Sequence, residues 1–391
     1  MTTLIENNRY RLTLARPEHP TGATVLSWPY LRAECSPTRD APFPGYEPQD
    51  FATRSGLNSL RVESTRNDWF QGAEIDEVLA AVTQFRKDSD VLISYGSSMG
   101  GHAAIAFAPE CKADFVLAVA PQASLSASFM RAIKDPRWAD CVPHFRHDRI
   151  LNGSCKQMRG LVIFDPHNPR DTAHAQAIQR HTQTRHLHVH GGGHHPGKIV
   201  NRVYGLRRLL SEIAASFTGH HDLALAPLEA ALKETLEYRF LDGSDADRTI
   251  LLQRFSIDQL EQALPYPTIL TSLRHSPSET FIAQAMRLAT SAERRYQLAT
   301  TLMAMGHHER GLGMILAEGP PAQFYTTEAR KFLQGIAPSL GLDAWRAEGL
   351  RLEATGDLDG ALFCLETARA NFQTGNLIAR KIAAYRAALA S

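Results

Sequence analysis

The sequence predicts an α/β chain: a mainly parallel sheet with helices on both faces, followed by an all-α domain of helical repeats. Two observations carry this. Up to about residue 219, short apolar runs of strand length alternate with helix-period segments; beyond it the text is nearly all helix-period and rich in Ala, Leu, Glu and Arg. Strands alternating with helices at this spacing form βα units, which set successive strands parallel. The length of 391 residues agrees with two domains, since about 100–200 residues make one. The expected domains are 1–218 and 219–391. Gly219-His220-His221-Asp222 marks the boundary and is too short for a flexible tether.

In chain order the strand-length runs are Thr24–Trp28, Asn58–Val62, Val91–Ser94, Phe115–Val119, Leu161–Phe164 and His186–His190. Between several of them lie the helix-period segments Glu74–Phe85, Gly100–Ala108, Thr172–Thr182 and Lys198–Phe217. Leu223–Leu241 and Ser256–Ala263 read as helices that join the two domains. Ligands on such sheets gather at the carboxyl ends of the strands, so the chemistry is sought there.

Composition narrows the function. The chain is 43% hydrophobic and 21% charged, which excludes intrinsic disorder. Its 42 Lys+Arg against 41 Asp+Glu leave a formal charge of +1, with no net field to hold a phosphate backbone, so no nucleic-acid partner is expected. The N-terminus lacks the apolar run of a secretory signal, and no stretch approaches the roughly 20 apolar residues of a membrane span. A cytoplasmic chain is expected. Five cysteines, Cys35, Cys111, Cys141, Cys155 and Cys364, are scattered without a CxxC pair, which argues against a disulfide framework and a thiolate zinc site.

The run Val91–Ser94 leads into Tyr95-Gly96-Ser97-Ser98-Met99-Gly100-Gly101 and then a helical pattern. This holds G-x-S-x-G at Gly96–Gly100, in the strand, tight turn and helix setting that a nucleophile elbow requires. Ser98 must sit in a strained turn to project its Oγ, and the flanking glycines admit a strand-helix approach that a Cβ would block. The Met99 N–H is the expected first oxyanion donor. The second is expected from the segment after Thr24–Trp28, at Tyr30 or Leu31, because Pro29 has no N–H. The competing reading, a glycine-rich phosphate turn, lacks both G-x-G-x-x-G and a Gly-Lys-Ser/Thr ending, and no cofactor is expected.

Two acids follow the run Leu161–Phe164: Asp165 at the strand end and Asp171 further into the loop. Asp171 is favoured, since an acid at the strand terminus more often braces the loop, with Asp165 as alternate. The general base is sought in His190-Gly191-Gly192-Gly193-His194-His195, where His194 is favoured and His195 is the alternate. His186, His188 and His190 alternate on one strand face and could clamp a metal. Acidic partners at ligand spacing are not evident and no HExxH occurs, so they read as the polar face of an edge strand and no metal site is expected.

GSSMGG after a strand, the late Asp, and Gly-His before the last helix resemble the α/β-hydrolase superfamily. With Asn67-Asp68-Trp69-Phe70-Gln71 and Ala120-Pro121-Gln122, the chain is similar to a group of bacterial α/β hydrolases, some of which carry helical repeats. The resemblance spans about residues 20–218 and implies a sheet of the α/β-hydrolase type and a hydrolase with Ser98, Asp171 and His194 in the triad roles. It fixes no substrate. The segment Pro121–Gly160 is the only room for a cap. Its Phe129, Met130, Trp138 and Phe145 could line an acyl pocket, and its Lys134, Arg137, Arg146 and Arg149 could meet an anionic substrate; both groups equally fit a packed helix with a solvated face. Trp69 and Phe70 read as core.

In the helical half, Gly349, Leu352, Gly356, Ala361, Leu365 and Ala368 fall at the spacing of a tetratricopeptide helix pair. Ala299, Leu302, Gly306, Gly311 and Ile315 repeat the offsets, with a further helix expected at Thr326–Ile336 between the pairs. Tyr296 and Trp345 read as core. The leading functional expectation is a serine hydrolase that cleaves a small-molecule or glycan-linked ester or related acyl bond through an acyl-enzyme. Its alternatives are a silent hydrolase-fold scaffold that binds a protein partner through its repeats, and an acyltransferase using the same three residues.

Overall fold

The computed structural model describes residues 1–32, 40–43, 52–138, 145–256, 259–260, 264, 266–275, 277–307, 310–311, 314, 341–354 and 356–390. Among these, the strands β1 (Thr2–Glu6), β2 (Tyr10–Ala15), β3 (Ala23–Trp28), β4 (Asn58–Ser64), β5 (Val91–Ser97), β6 (Phe115–Val119), β7 (Arg159–Phe164) and β8 (Gln183–His188) form one sheet in the order β1-β2-β4-β3-β5-β6-β7-β8. The pairs β1–β2 and β2–β4 are antiparallel and every other pair is parallel. The expected mainly parallel sheet is thus present, with two N-terminal strands that the apolar runs did not signal. All six residues of β2 are buried although Arg11 and Thr13 interrupt its apolar pattern; Glu63 on the neighbouring β4 neutralises Arg11.

Side chains alternate across the strands, so one face takes Leu92 and Val116 and the other Ile93 and Leu117. The first face packs on α1 (Ile75–Phe85), α2 (Met99–Ala106), α3 (Ala108–Cys111) and α5 (Pro169–His181), while α4 (Ala127–Ala132) adds Met130 to the buried residues. The second packs on α6 (Pro196–Val203), α7 (Leu206–Thr218) and α8 (Ala226–Lys233). The single helix expected over Lys198–Phe217 is broken at Gly205, whose φ of +89° ends α6 and turns the chain into α7. Strand β8 ends at His188, short of the expected His190, because Gly191 turns away at φ +77°.

The chain divides into two compact units, Met1–Ser272 and Leu273–Ser391. The first runs on past the boundary expected at 218/219. Leu225, Leu228 and Leu232 are buried in the same core as β5 to β8, and Glu237, on α9 (Leu236–Leu241), binds Arg202 of α6 at 2.7 and 2.8 Å.

In the second unit, helices Leu342–Ala354 and Leu358–Asn371 pack closely around Gly349, where a Cβ would lie 2.9 Å from the Leu365 side chain. Gly356 turns between them at φ +83°, and Asp357 caps the second by accepting from Gly360 N at 2.9 Å. Trp345, Leu352, Leu365, Ile378 and Tyr385 are buried together. Ile315 and the helix expected at 326–336 lie outside the described residues, as do Cys35, Cys141 and the side chain of Tyr296. Cys111, Cys155 and Cys364 are buried.

Candidate active site

Ser98 sits between β5 and α2 with φ 53° and ψ −117°, a conformation that costs of order 1–3 kcal/mol and persists only where neighbours enforce it. They do so here. Its N–H donates to Val119 O on β6 at 2.8 Å and its C=O accepts from His102 N at 3.0 Å. A Cβ on Gly96 would lie 2.1 Å from Gly100 O, and one on Gly100 would lie 2.4 Å from Trp28 O. The two glycines therefore admit the close approach of strand, helix and the segment after β3. Met99 opens α2, so its N–H has no intrahelical acceptor and lies beside Ser98. Tyr30, 69% exposed, and Leu31 lie on the wall of the cavity next to Ser98.

On the loop between β8 and α6, His194 Nε2 stands 2.9 Å from Ser98 Oγ and Nδ1 2.8 Å from Asp171 Oδ2. A carboxylate only accepts, so Nδ1 carries the proton and Nε2 is left to accept from the Ser98 hydroxyl. Asp171 is buried in the first turn of α5, not in a loop as expected, because Asn168 caps and Pro169 starts the helix three residues before the expected Thr172. Asn168 Nδ2 donates to Asp171 Oδ2 at 2.9 Å and fixes the carboxylate plane.

The alternates lie elsewhere. Asp165 is fully buried at the end of β7, accepts from His167 N at 2.9 Å and Gly193 N at 2.7 Å, and braces the two loops; burial raises its pKa. His195 is the N-terminal flanking residue of α6, lies beside His194 with ring centroids 5.7 Å apart, and has its pKa lowered by partial burial and by His194.

Four neighbours complete the surroundings of these residues. Arg137 Nη2 donates to the second oxygen of Asp171 at 2.8 Å and to Asp135 Oδ2 at 2.7 Å. His174 Nδ1 accepts from Ala123 N at 3.0 Å, so its Nε2–H is the donor to Asp135 at 3.3 Å. Burial pushes the Asp135 pKa up, but the hydrogen bonds from His174 and Arg137 outweigh it and hold the carboxyl well below the usual range. Arg137 thus bridges the two carboxylates, and Arg170 Nε lies 4.0 Å from Asp135 Oδ1 at the partly exposed edge of the group. Gln122, fully buried, reaches Ser98 Oγ with Nε2 at 3.4 Å and accepts from Trp69 Nε1 at 3.1 Å. The two short runs around Trp69 and Gln122, noticed separately, thus meet behind Ser98. Arg137 stood out in the sequence only as a cation that could meet an anionic substrate, and for Asp135 no motif gave a signal.

A cavity of about 790 Å³ opens over Ser98 and His194. Its walls include Tyr95, Val119, Trp138 and Leu206, with Lys198 and Arg207 as its cations. Of the Pro121–Gly160 residues singled out, Trp138 reaches this cavity, while Met130 is core and Phe129 and Phe145 pack against it. The cations of that segment are largely engaged: Arg137 as above, Arg146 with Asp76 at 3.5 Å, and Arg149 with Glu110.

No family model matches the chain, and no curated protein matches it. Among solved structures it is similar to alpha/beta hydrolase domain-containing protein 10 from mouse, at 13% identity over 56% of this chain and 98% of that one, with a TM-score of 0.36. It is similar to the capsule O-acetyltransferase of Neisseria meningitidis serogroup A at 13% identity, 53% and 92% coverage and a TM-score of 0.34. The acetyl xylan esterase from Paenibacillus sp. R4 aligns at 16% identity, 47% and 74% coverage and a TM-score of 0.32. No helix among the described residues is long and apolar enough to cross a membrane.

Proposed function

We propose that the chain is a serine hydrolase acting on an ester or related acyl bond. The observation that carries this reading is the unbroken contact from Ser98 Oγ through His194 to Asp171, 2.9 and 2.8 Å long, with Ser98 in a strained turn. In this reading His194 takes the Ser98 proton as Oγ attacks the acyl carbon, and the Met99 N–H, aided by the segment at Tyr30, donates to the oxyanion. The protonated His194, steadied by the Asp171 carboxylate on its Nδ1, then delivers its proton to the leaving alkoxide. A water activated by His194 cleaves the acyl-enzyme and restores the hydroxyl. The cavity fits an acyl or alcohol part with an apolar body, and Lys198 and Arg207 favour an anionic group on it.

The experiment is labelling with a fluorophosphonate probe. Wild-type protein should be labelled at Ser98 and Ser98→Ala should not; a folded wild type that takes no label, with no ester turned over across a range of acyl lengths, overturns the reading.

A further inference from the structure

Near the first turn of α5 that presents Asp171 and the loop that presents His194 lies a second constellation that the reading above does not use. His167 follows β7, His190 follows β8, and Asp242 stands at the end of α9. His167 Nε2 lies 3.2 Å from His190 Nδ1 and 2.6 Å from Asp242 Oδ2, and His190 Nδ1 meets the same oxygen. One ligand atom from each falls within 4.8 Å of the others. Of the alternating histidines only His190 belongs to this group; its partners come from 23 residues upstream and 52 downstream, which is why no ligand spacing was visible along the chain.

We infer that His167 Nε2, His190 Nδ1 and an Asp242 carboxylate oxygen form a binding site for a divalent transition ion of the Zn²⁺ class. Two imidazole nitrogens bound at 2.0–2.1 Å to a tetrahedral ion stand about 3.3 Å apart, close to the separation here. Asp242 must withdraw by less than about 1 Å to match that geometry, which its place at the end of α9, with a side chain 31% exposed, allows. Two imidazoles with one carboxylate suit a borderline-soft ion, whereas Ca²⁺ and Mg²⁺ ask for all-oxygen shells. The exposed side of Asp242 leaves the fourth position to water.

The ion would act as a clasp. His167 precedes Asp171 by four residues and His190 precedes His194 by four, so a bound ion ties both segments to α9. The His190 loop turns through Gly191 at φ +77° and Gly193 at +55°, and its His190 ring already packs on Tyr238 of α9 with centroids 4.9 Å apart. Asp165 already accepts from both segments, through His167 N and Gly193 N, so it braces the clasp without being a ligand. The site does not depend on the role of Ser98.

The test uses the full chain, stripped with a chelator and titrated with Zn²⁺, and with Co²⁺ for its visible spectrum. Wild-type protein should take up one equivalent of tightly held ion and show tetrahedral Co²⁺ bands. Its thermal midpoint should rise by about 5 °C at a hundredfold excess over the dissociation constant. His190→Ala should lose the Co²⁺ spectrum and the shift; Asp242→Asn, an exposed change that preserves folding, should lose them too and decides the matter if His190→Ala is insoluble. Folded wild type that binds neither ion, or a spectrum and shift that survive in Asp242→Asn and in any soluble His190→Ala, overturns the inference and leaves the three side chains a hydrogen-bonded triangle.

Discussion

Ser98, His194 and Asp171 were selected from a glycine-rich turn, a late histidine and a late acid, and they meet because three strand ends of a parallel sheet point the same way. Around them lie residues whose place beside Asp171 and Ser98 no motif marks. Arg137 is the chief of these: a guanidinium on the outer oxygen of Asp171 fixes the carboxylate and ties it to Asp135. Under the proposed function, Arg137→Met leaves two buried carboxylates unbridged and lets Asp171 shift. The expected loss is about 10²-fold in kcat with little change in KM, read by steady-state kinetics on an activated ester. His102 makes a separate, pH-dependent contribution. It is fully buried in α2, its Nδ1 bonds the Gln122 carbonyl at 2.9 Å, and burial lowers its pKa from 6.5 to about 4 against the opposing pull of that bond. Because the folded value is depressed, the unfolded chain binds the proton more strongly between these values. The stabilisation is complete above pH 6.5 and is lost as pH falls toward 4, on the order of 3 kcal/mol in all. Urea unfolding at several pH values should show this slope in the wild type and a flatter one in His102→Asn.

At the scale of elements, the strand-turn-helix at Ser98 was legible because steric demand writes itself as glycine. Gly96 and Gly100 have no room for a methyl group: their Cβ atoms would meet backbone oxygens of Gly100 and Trp28, which cannot rotate away. Gly96→Ala should cost about 3 kcal/mol or more, the upper range for overpacking, with a lowered midpoint in thermal denaturation and loss of fluorophosphonate labelling even in the folded fraction. An unchanged midpoint would mean that the turn relaxes without strain. Element ends were less legible. The break at Gly205 and the early start of α5 at Pro169 rest on single local residues that periodicity passes over, and the buried but partly polar β2 depends on Glu63 of the neighbouring β4.

At the scale of the molecule, composition placed a change of character near residue 219, while packing carries the first compact unit to Ser272. Leu225, Leu228 and Leu232 complete the core on one face of the sheet, and at about 2 kcal/mol for each buried leucine their loss approaches the whole stability of a domain, about 5–15 kcal/mol. A chain of residues 1–218 should therefore be insoluble or lack a cooperative transition, and one of residues 1–272 should unfold cooperatively; equal melting of the two would make the helices after 219 an appendage. By itself the sequence determined the alternation of strands and helices, the parallel sheet, the helical second half and the turn that bears Ser98, because these follow from periodicity and from local steric rules. Only the tertiary structure decided that Arg137 and Gln122 join Ser98, His194 and Asp171, that His167, His190 and Asp242 converge, and where the first unit closes. Such contacts unite residues tens of positions apart, and no local periodicity encodes a distance that only the packed sheet creates.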